Sequence, residues 1–125
     1  MFKTVMATIP ATDLERAKAW YRDKLGLEPK QDIGGEGGAV YSAGDAQFLL
    51  YQSQFAGTNQ ATAASWVVDD LEATVKDLRS RGVTFEEYDF PGLTTVDGIA
   101  ETPEGKGAWF KDSEGNILAV SDMAM

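Results

Sequence analysis

Any chemistry in this chain of 125 residues has to be done by carboxylates, tyrosines, lysines or a bound cofactor, because histidine and cysteine are both absent. Without imidazole there is no Ser-His-Asp triad, no histidine-bound metal and no histidine to shuttle protons near neutral pH. Without thiols there are no disulfides, thiolate zinc sites or cysteine nucleophiles, which suits a reducing cytoplasm. Tyr41, Tyr51 and a nearby acid are what remains for a metal-free reaction. Adjacent Glu86 and Glu87 point to opposite sides of an extended strand, so they are not an acid and base pair. The run Gly34-Gly35-Glu36-Gly37-Gly38 lacks a following Lys-Ser or Lys-Thr and reads as a turn, not a phosphate loop.

Charge narrows the partners. Lys and Arg total 11 against 20 Asp and Glu, a net charge of −9, which repels a phosphate backbone and makes nucleic acid an unsuitable partner. Arg16, Lys18, Arg22 and Lys24 are read as a solvated helix face. The acidity either draws in a small cationic ligand or serves solubility. Hydrophobic residues at 43% and charged residues at 25% are ordinary for a folded soluble domain. No apolar run approaches the roughly 20 residues of a membrane helix, and no basic-then-apolar leader is visible, so a cytoplasmic protein with no membrane partner is expected.

The elements that position these groups come as a repeat. Asp13-Leu14-Glu15 recurs as Asp70-Leu71-Glu72, and Gly26 is answered by Gly82. An apolar run precedes each signature: residues 5–9 and 63–68 both read as strands. Thr12 with Glu15 and Asp69 with Glu72 have capping-box spacing, and Leu14, Ala17, Tyr21 and Leu25 form an apolar helix stripe matched by Leu71, Val75 and Leu78. Strands are predicted over 27–33, 39–43 and 46–52, then over 83–88, 107–111 and 116–122. The plan is strand, helix and three strands, twice. It divides one domain, 1–125, into a module of about 1–53, a linker of about 54–61 and a module of about 62–125. Residues 89–105 are either a lid or binding loop, with Asp89, Asp97, Glu101 and Glu104 at its mouth, or a longer hairpin.

Several motifs on this frame resemble the vicinal oxygen chelate superfamily, which includes glyoxalase I, extradiol dioxygenases, fosfomycin-resistance enzymes and bleomycin-resistance proteins. They are Ile9-Pro10-Ala11-Thr12-Asp13-Leu14-Glu15-Arg16-Ala17, Trp20 to Leu27, Val68-Asp69-Asp70-Leu71 and Trp109-Phe110-Lys111-Asp112-Ser113-Glu114-Gly115-Asn116-Ile117. The resemblance implies an α+β fold of two tandem βαβββ modules whose curved mixed sheet encloses a cavity, commonly in a homodimer in which both chains supply walls. It also implies a divalent metal held by His and Glu, at positions that fall here on Met6, Leu49, Ala63 and Ala119. None of those four offers the oxygen or imidazole donors such an ion needs, so no metal and no other cofactor is expected.

Strand alternation extends these positions into a lining. Thr4, Met6 and Thr8 share a face, as do Gln47, Leu49 and Tyr51, then Ala63, Ser65 and Val67, then Ile117, Ala119 and Ser121. The opposite faces, with Phe48, Leu50, Trp66, Leu118 and Val120, are predicted core, as is Trp20. A small, apolar lining with sparse hydroxyls suits an organic ligand. Trp109, with Tyr51 and Phe55, either stacks on a planar ligand or packs within the sheet. The expected function is metal-independent sequestration of an organic natural product, as in the bleomycin-resistance branch, with bleomycin-like, enediyne or mitomycin-type compounds as candidates. The alternatives are an enzyme with a carboxylate-built metal site and a scaffold homodimer without a small ligand.

Overall fold

Each copy of the Asp-Leu-Glu signature starts a helix. In the computed structural model, which describes residues 1–33 and 37–123, α1 is Leu14–Leu25 and α2 is Leu71–Ser80. The caps are Asp13 and Asp70, one residue later than the capping-box spacing predicts: their carboxylates accept from the Arg16 and Ala73 N–H groups, each at 3.0 Å. An aspartate satisfies an orphan N–H and complements the helix dipole together, so it displaces Thr12 from the role. The predicted stripes are buried, Leu14, Ala17 and Tyr21 on α1 and Leu71, Val75 and Leu78 on α2, except that Leu25 at the end of the α1 stripe is only partly buried against the core. The two helix C-termini meet. Lys24 Nζ donates to the Arg81 carbonyl at 2.7 Å, and Gly26 and Gly82 hold φ of +70° and +93° where a Cβ would strike Arg81 and Lys24.

The strands form two mixed sheets. The first contains β1 (Ala7–Ala11), β2 (Gln31–Asp32), β3 (Ala39–Ala43) and β4 (Ala46–Gln52) in the order β1-β4-β3-β2, with β1 parallel to β4. The second contains β5 (Thr62–Val67), β6 (Asp89–Phe90), β7 (Leu93–Val96), β8 (Ile99–Thr102), β9 (Gly105–Lys111) and β10 (Ile117–Ser121) in the order β5-β10-β9-β8-β7-β6, with β5 parallel to β10. This is the expected α+β plan, with extra strands in the second half.

Those extra strands settle residues 89–105: they are a meander, not a lid. Asp97 and Gly98, at φ of +53° and +80°, turn β7 into β8 as an Asp-Gly hairpin does. Residues 83–88, expected as a strand, carry a single bridge between Phe85 and Phe110. The strand expected over 27–33 shrinks to β2, because the Leu27 N–H already bonds the Tyr21 carbonyl and Pro29 has none to give. The first strand begins at Ala7, not Val5. Part of the Gly34 to Gly38 turn lies outside the described residues.

Alternation sorts the faces as the period of two requires. Ile9, Tyr41, Phe48, Leu50, Leu118 and Val120 are buried beneath the helices, with Trp20 and Trp66 packed against them. Aromatic contacts link the two halves: Tyr41 stacks on its cross-strand partner Phe48 at 4.9 Å, Phe48 meets Trp66 of the second sheet edge to face at 5.4 Å, and Trp20 of α1 stacks on Phe110 of β9 at 6.2 Å. Each such ring buries about 150–250 Å² in total, so this network dominates the core.

A polar clasp completes the joint. The Asp112 carboxylate accepts from the Tyr21 hydroxyl at 2.8 Å and from the Glu114 N–H, the Asn116 N–H and Asn116 Nδ2, each at 2.9 Å. Asn116 also donates to the Pro10 carbonyl at 2.7 Å and accepts from the Gly57 N–H at 3.2 Å. Beside it, Glu114 accepts from the Asp13 N–H, Ser113 and both Arg16 Nε and Nη2. The turn between β9 and β10 thus grips β1, the start of α1 and the segment between the sheets.

Burial alone pushes the Glu114 carboxyl up, but the donors from Arg16, Asp13 and Ser113 outweigh it and hold its pKa at about 2. Because that is below the ordinary value of 4.5, the stabilisation is complete above pH 4.5 and is lost as pH falls toward 2. The loss should reach up to about 3 kcal/mol, and Arg16→Met should remove most of that acid-sensitive part. Urea unfolding at pH 7 and pH 3 checks this, and an equal drop in both proteins would contradict it.

Candidate functional site

The face of the second sheet opposite buried Phe110, Leu118 and Val120 gathers side chains that strand register alone brings together. Ser65 on β5 lies opposite Ala119 on β10, and Ala119 lies opposite Trp109 on β9. In the next row Ser121 lies opposite Gly107, and Gly107 opposite Ala100 on β8. A cavity of about 390 Å³ occupies the seam between the sheets, and another of about 290 Å³ lies over these rows. The latter is walled by Leu93, Ala100, Trp109, Ala119 and Met123, with Thr62, Ser65, Thr102 and Ser121 as its hydroxyls.

Trp109 is held in place from three sides. Its Nε1 donates to Thr62 Oγ1 at 3.2 Å, Tyr88 meets it edge to face at 5.6 Å, and its ring lies beside Gly107, where an added Cβ would sit 3.5 Å from Cη2. An indole fixed before ligand arrives loses little entropy on stacking. Beyond Tyr88 the same face continues into a polar cleft of about 450 Å³ that includes Glu86, Tyr88, Lys111 and Ile117, with Lys111 Nζ 3.4 Å from Glu86. The cavity's one titratable lining residue is Lys106, whose ammonium is tied to Glu72 and Glu101.

The structure therefore brings together Ser65, Trp109 and Ala119 of the residues singled out from sequence. Thr8, Leu49 and Tyr51 share the open face of the first sheet, Thr8 directly opposite Leu49 and Tyr51 opposite Pro10, but they are not part of the Trp109 cavity. Met6 precedes β1 and so shares no strand face with Thr8. Phe55 is 66% exposed in the turn after β4. Ala63 misses the cavity because β5 carries an irregularity there: Ile117 pairs with Thr62 but Leu118 with Ala64, which puts Thr62 on the face predicted for Ala63. Thr62, Tyr88 and Gly107 were not marked by alternation from the first candidates. The acids expected at a lid mouth lie elsewhere in part. Asp97 and Glu101 border a groove of about 670 Å³ that also includes Glu72 of α2 and Ile99.

Paired strand-helix-meander modules with an open, curved sheet face in each define a vicinal oxygen chelate fold. The model of the Glyoxalase/Bleomycin resistance protein/Dioxygenase superfamily matches residues 3–120, and the chain belongs to that superfamily. It is similar in structure to UcmS2, at 24% identity and a TM-score of 0.75, over 97% of this chain and 99% of that one. It is also similar to TnmS3, an antibiotic binding protein from Streptomyces sp. CB03234, at 22% identity and a TM-score of 0.70 over 99% of each chain. A bleomycin-binding protein complexed with bleomycin matches at 16% identity and a TM-score of 0.72, over 98% of this chain and all of that one. No curated protein matches the chain.

The metal of the superfamily's enzymes does not fit this donor set. Met6, Leu49, Ala63 and Ala119 present no oxygen or imidazole, and among the described residues no group of three His, Cys, Asp or Glu could hold an ion.

Proposed function

We propose that this chain is a metal-independent binding protein that sequesters a medium-sized organic natural product over Trp109, protecting or carrying it without turnover. The observation that carries this reading is the preset indole in an apolar, hydroxyl-dotted cavity whose one titratable group, Lys106, is already ion-paired. Such a lining can bury and orient a planar ligand but has no group with which to move a proton. The Glu86 and Lys111 cleft beyond Tyr88 offers room for a polar substituent. TnmS3 and the bleomycin-binding protein, which share the fold, support the choice of antibiotics as the ligand class.

In this reading the chain is one domain of two modules, about 1–53 and 62–125, working as a cytoplasmic homodimer. The open face bearing Thr8, Leu49 and Tyr51 is the facing wall that a second subunit would supply. Isothermal titration against bleomycin, an enediyne and a mitomycin tests it. One of them should saturate stoichiometrically, be unaffected by a chelator and be recovered unchanged. Failure of all three to bind, or consumption of the compound, would overturn the reading.

A further inference from the structure

Strand register sets the polar cleft beyond Tyr88 directly beside the indole. On β9, Trp109 and Lys111 are two residues apart on one face, about 7 Å along the strand, and they pair with Ala119 and Ile117 on β10. Glu86 completes the corner: its N–H donates to the Trp109 carbonyl at 2.7 Å, and its carboxylate lies 3.4 Å from Lys111 Nζ. The cleft of about 450 Å³ is bordered by Gly57 and Gly115, which put no side chain into it. Their backbones approach so closely that a Cβ on Gly115 would lie 3.3 Å from the Gly57 Cα.

The groups around this cleft suit hydroxyls. Lys111 donates and Glu86 accepts side by side, and the amide of Gln60 can do either. Asn59 adds amide N–H donors, its Oδ1 already accepting from the Ala61 N–H at 2.9 Å. Tyr88, edge to face with Trp109, brings an aromatic ring against which the C–H groups of a sugar can pack. Adjacent hydroxyls bridge an ammonium and a carboxylate without separating them. A zwitterion must pull the two apart, and an apolar group leaves both without new partners.

We propose that the ligand is a glycoside, its planar aglycone stacked on Trp109 and its sugar held in the cleft by Glu86 and Lys111. The spacing of about 7 Å between Trp109 and Lys111 matches a sugar joined directly to a fused ring system, with one linking oxygen and no spacer. The two parts then meet two different surfaces, an apolar cavity over Trp109 and a polar cleft at Glu86. This inference rests on the capture over Trp109 proposed above and adds the class of molecule captured.

Titration with emodin, a planar anthraquinone, with its 8-O-glucoside and with tryptophan, a planar ring bearing a zwitterion, tests it. The glucoside should bind about tenfold more tightly than emodin, as expected for hydrogen bonds to charged groups, and tryptophan should bind least. Glu86→Ala and Lys111→Met should each abolish the preference for the glucoside while leaving emodin affinity unchanged. Equal binding of emodin and its glucoside would overturn the glycoside inference and leave capture over Trp109 standing. A preference for the glucoside that survives both substitutions would overturn it too, by placing the sugar elsewhere, as would tighter binding of tryptophan. If neither emodin nor its glucoside binds, the glycoside inference fails, and the titrations with bleomycin, an enediyne and a mitomycin decide capture separately.

Discussion

Asp112→Ala should lower the unfolding free energy by about 4 kcal/mol, measured by urea denaturation at pH 7. The carboxylate is 6% exposed and accepts from the Tyr21 hydroxyl, two backbone N–H groups and the Asn116 amide. Truncation strands four donors where water does not reach, and each unsatisfied group costs about 1–3 kcal/mol before relaxation. The damage spreads, because Asn116 uses the same orientation to hold the Pro10 carbonyl and the Gly57 N–H. Gly57 has no slack: at φ +74° an added Cβ would lie 2.5 Å from the Glu114 carbonyl oxygen. Asp112→Asn, which keeps acceptor capacity on one oxygen, should cost less than half as much. A loss below about 1 kcal/mol for alanine would mean that the clasp does not hold the halves together.

Trp109→Ala should weaken binding of whichever compound saturates the protein by about 100-fold, equivalent to about 2–3 kcal/mol. Trp109→Phe should retain part of that affinity. Thr62→Val, which removes the acceptor for the indole N–H, should cost several-fold by freeing the ring rather than by removing contact area. Stability should change little by comparison, since Trp109 is only partly buried and lies outside the main core cluster. Titration calorimetry on the three variants separates these cases. Unchanged affinity in Trp109→Ala would move the ligand away from the second sheet.

What could be read before the structure depended on how local the cause was. Helix stripes, glycine stops and the in-or-out sorting of Phe48, Leu49, Leu50 and Tyr51 follow from periods of 3.6 and 2 within a few residues. The α1 cap moved one residue because Thr12 and Asp13 are both competent and the carboxylate's extra charge favours Asp13, whereas at α2 the choice is between two aspartates, Asp69 and Asp70, which no charge difference separates. The irregularity at Ala63 is a property of pairing with β10, which no pattern inside β5 records. For residues 89–105 a local signal was present: Val96-Asp97-Gly98-Ile99 has the Asp-Gly hairpin form. Thr62 and Tyr88 reach Trp109 from 47 and 21 positions away, so only the folded register joins them. Glu114 was legible as part of a turn, but its grip on Asp13 and Arg16 spans 101 and 98 positions.

The central claim is that the cup around Trp109 captures an organic molecule without a metal. Native mass spectrometry of the gently purified protein, alone and after incubation with bleomycin, an enediyne and a mitomycin, tests it most directly. The account predicts a metal-free dimer that gains one intact organic mass per site with one of these compounds. A stoichiometric divalent ion that survives purification, or no added mass with any of them, would contradict it.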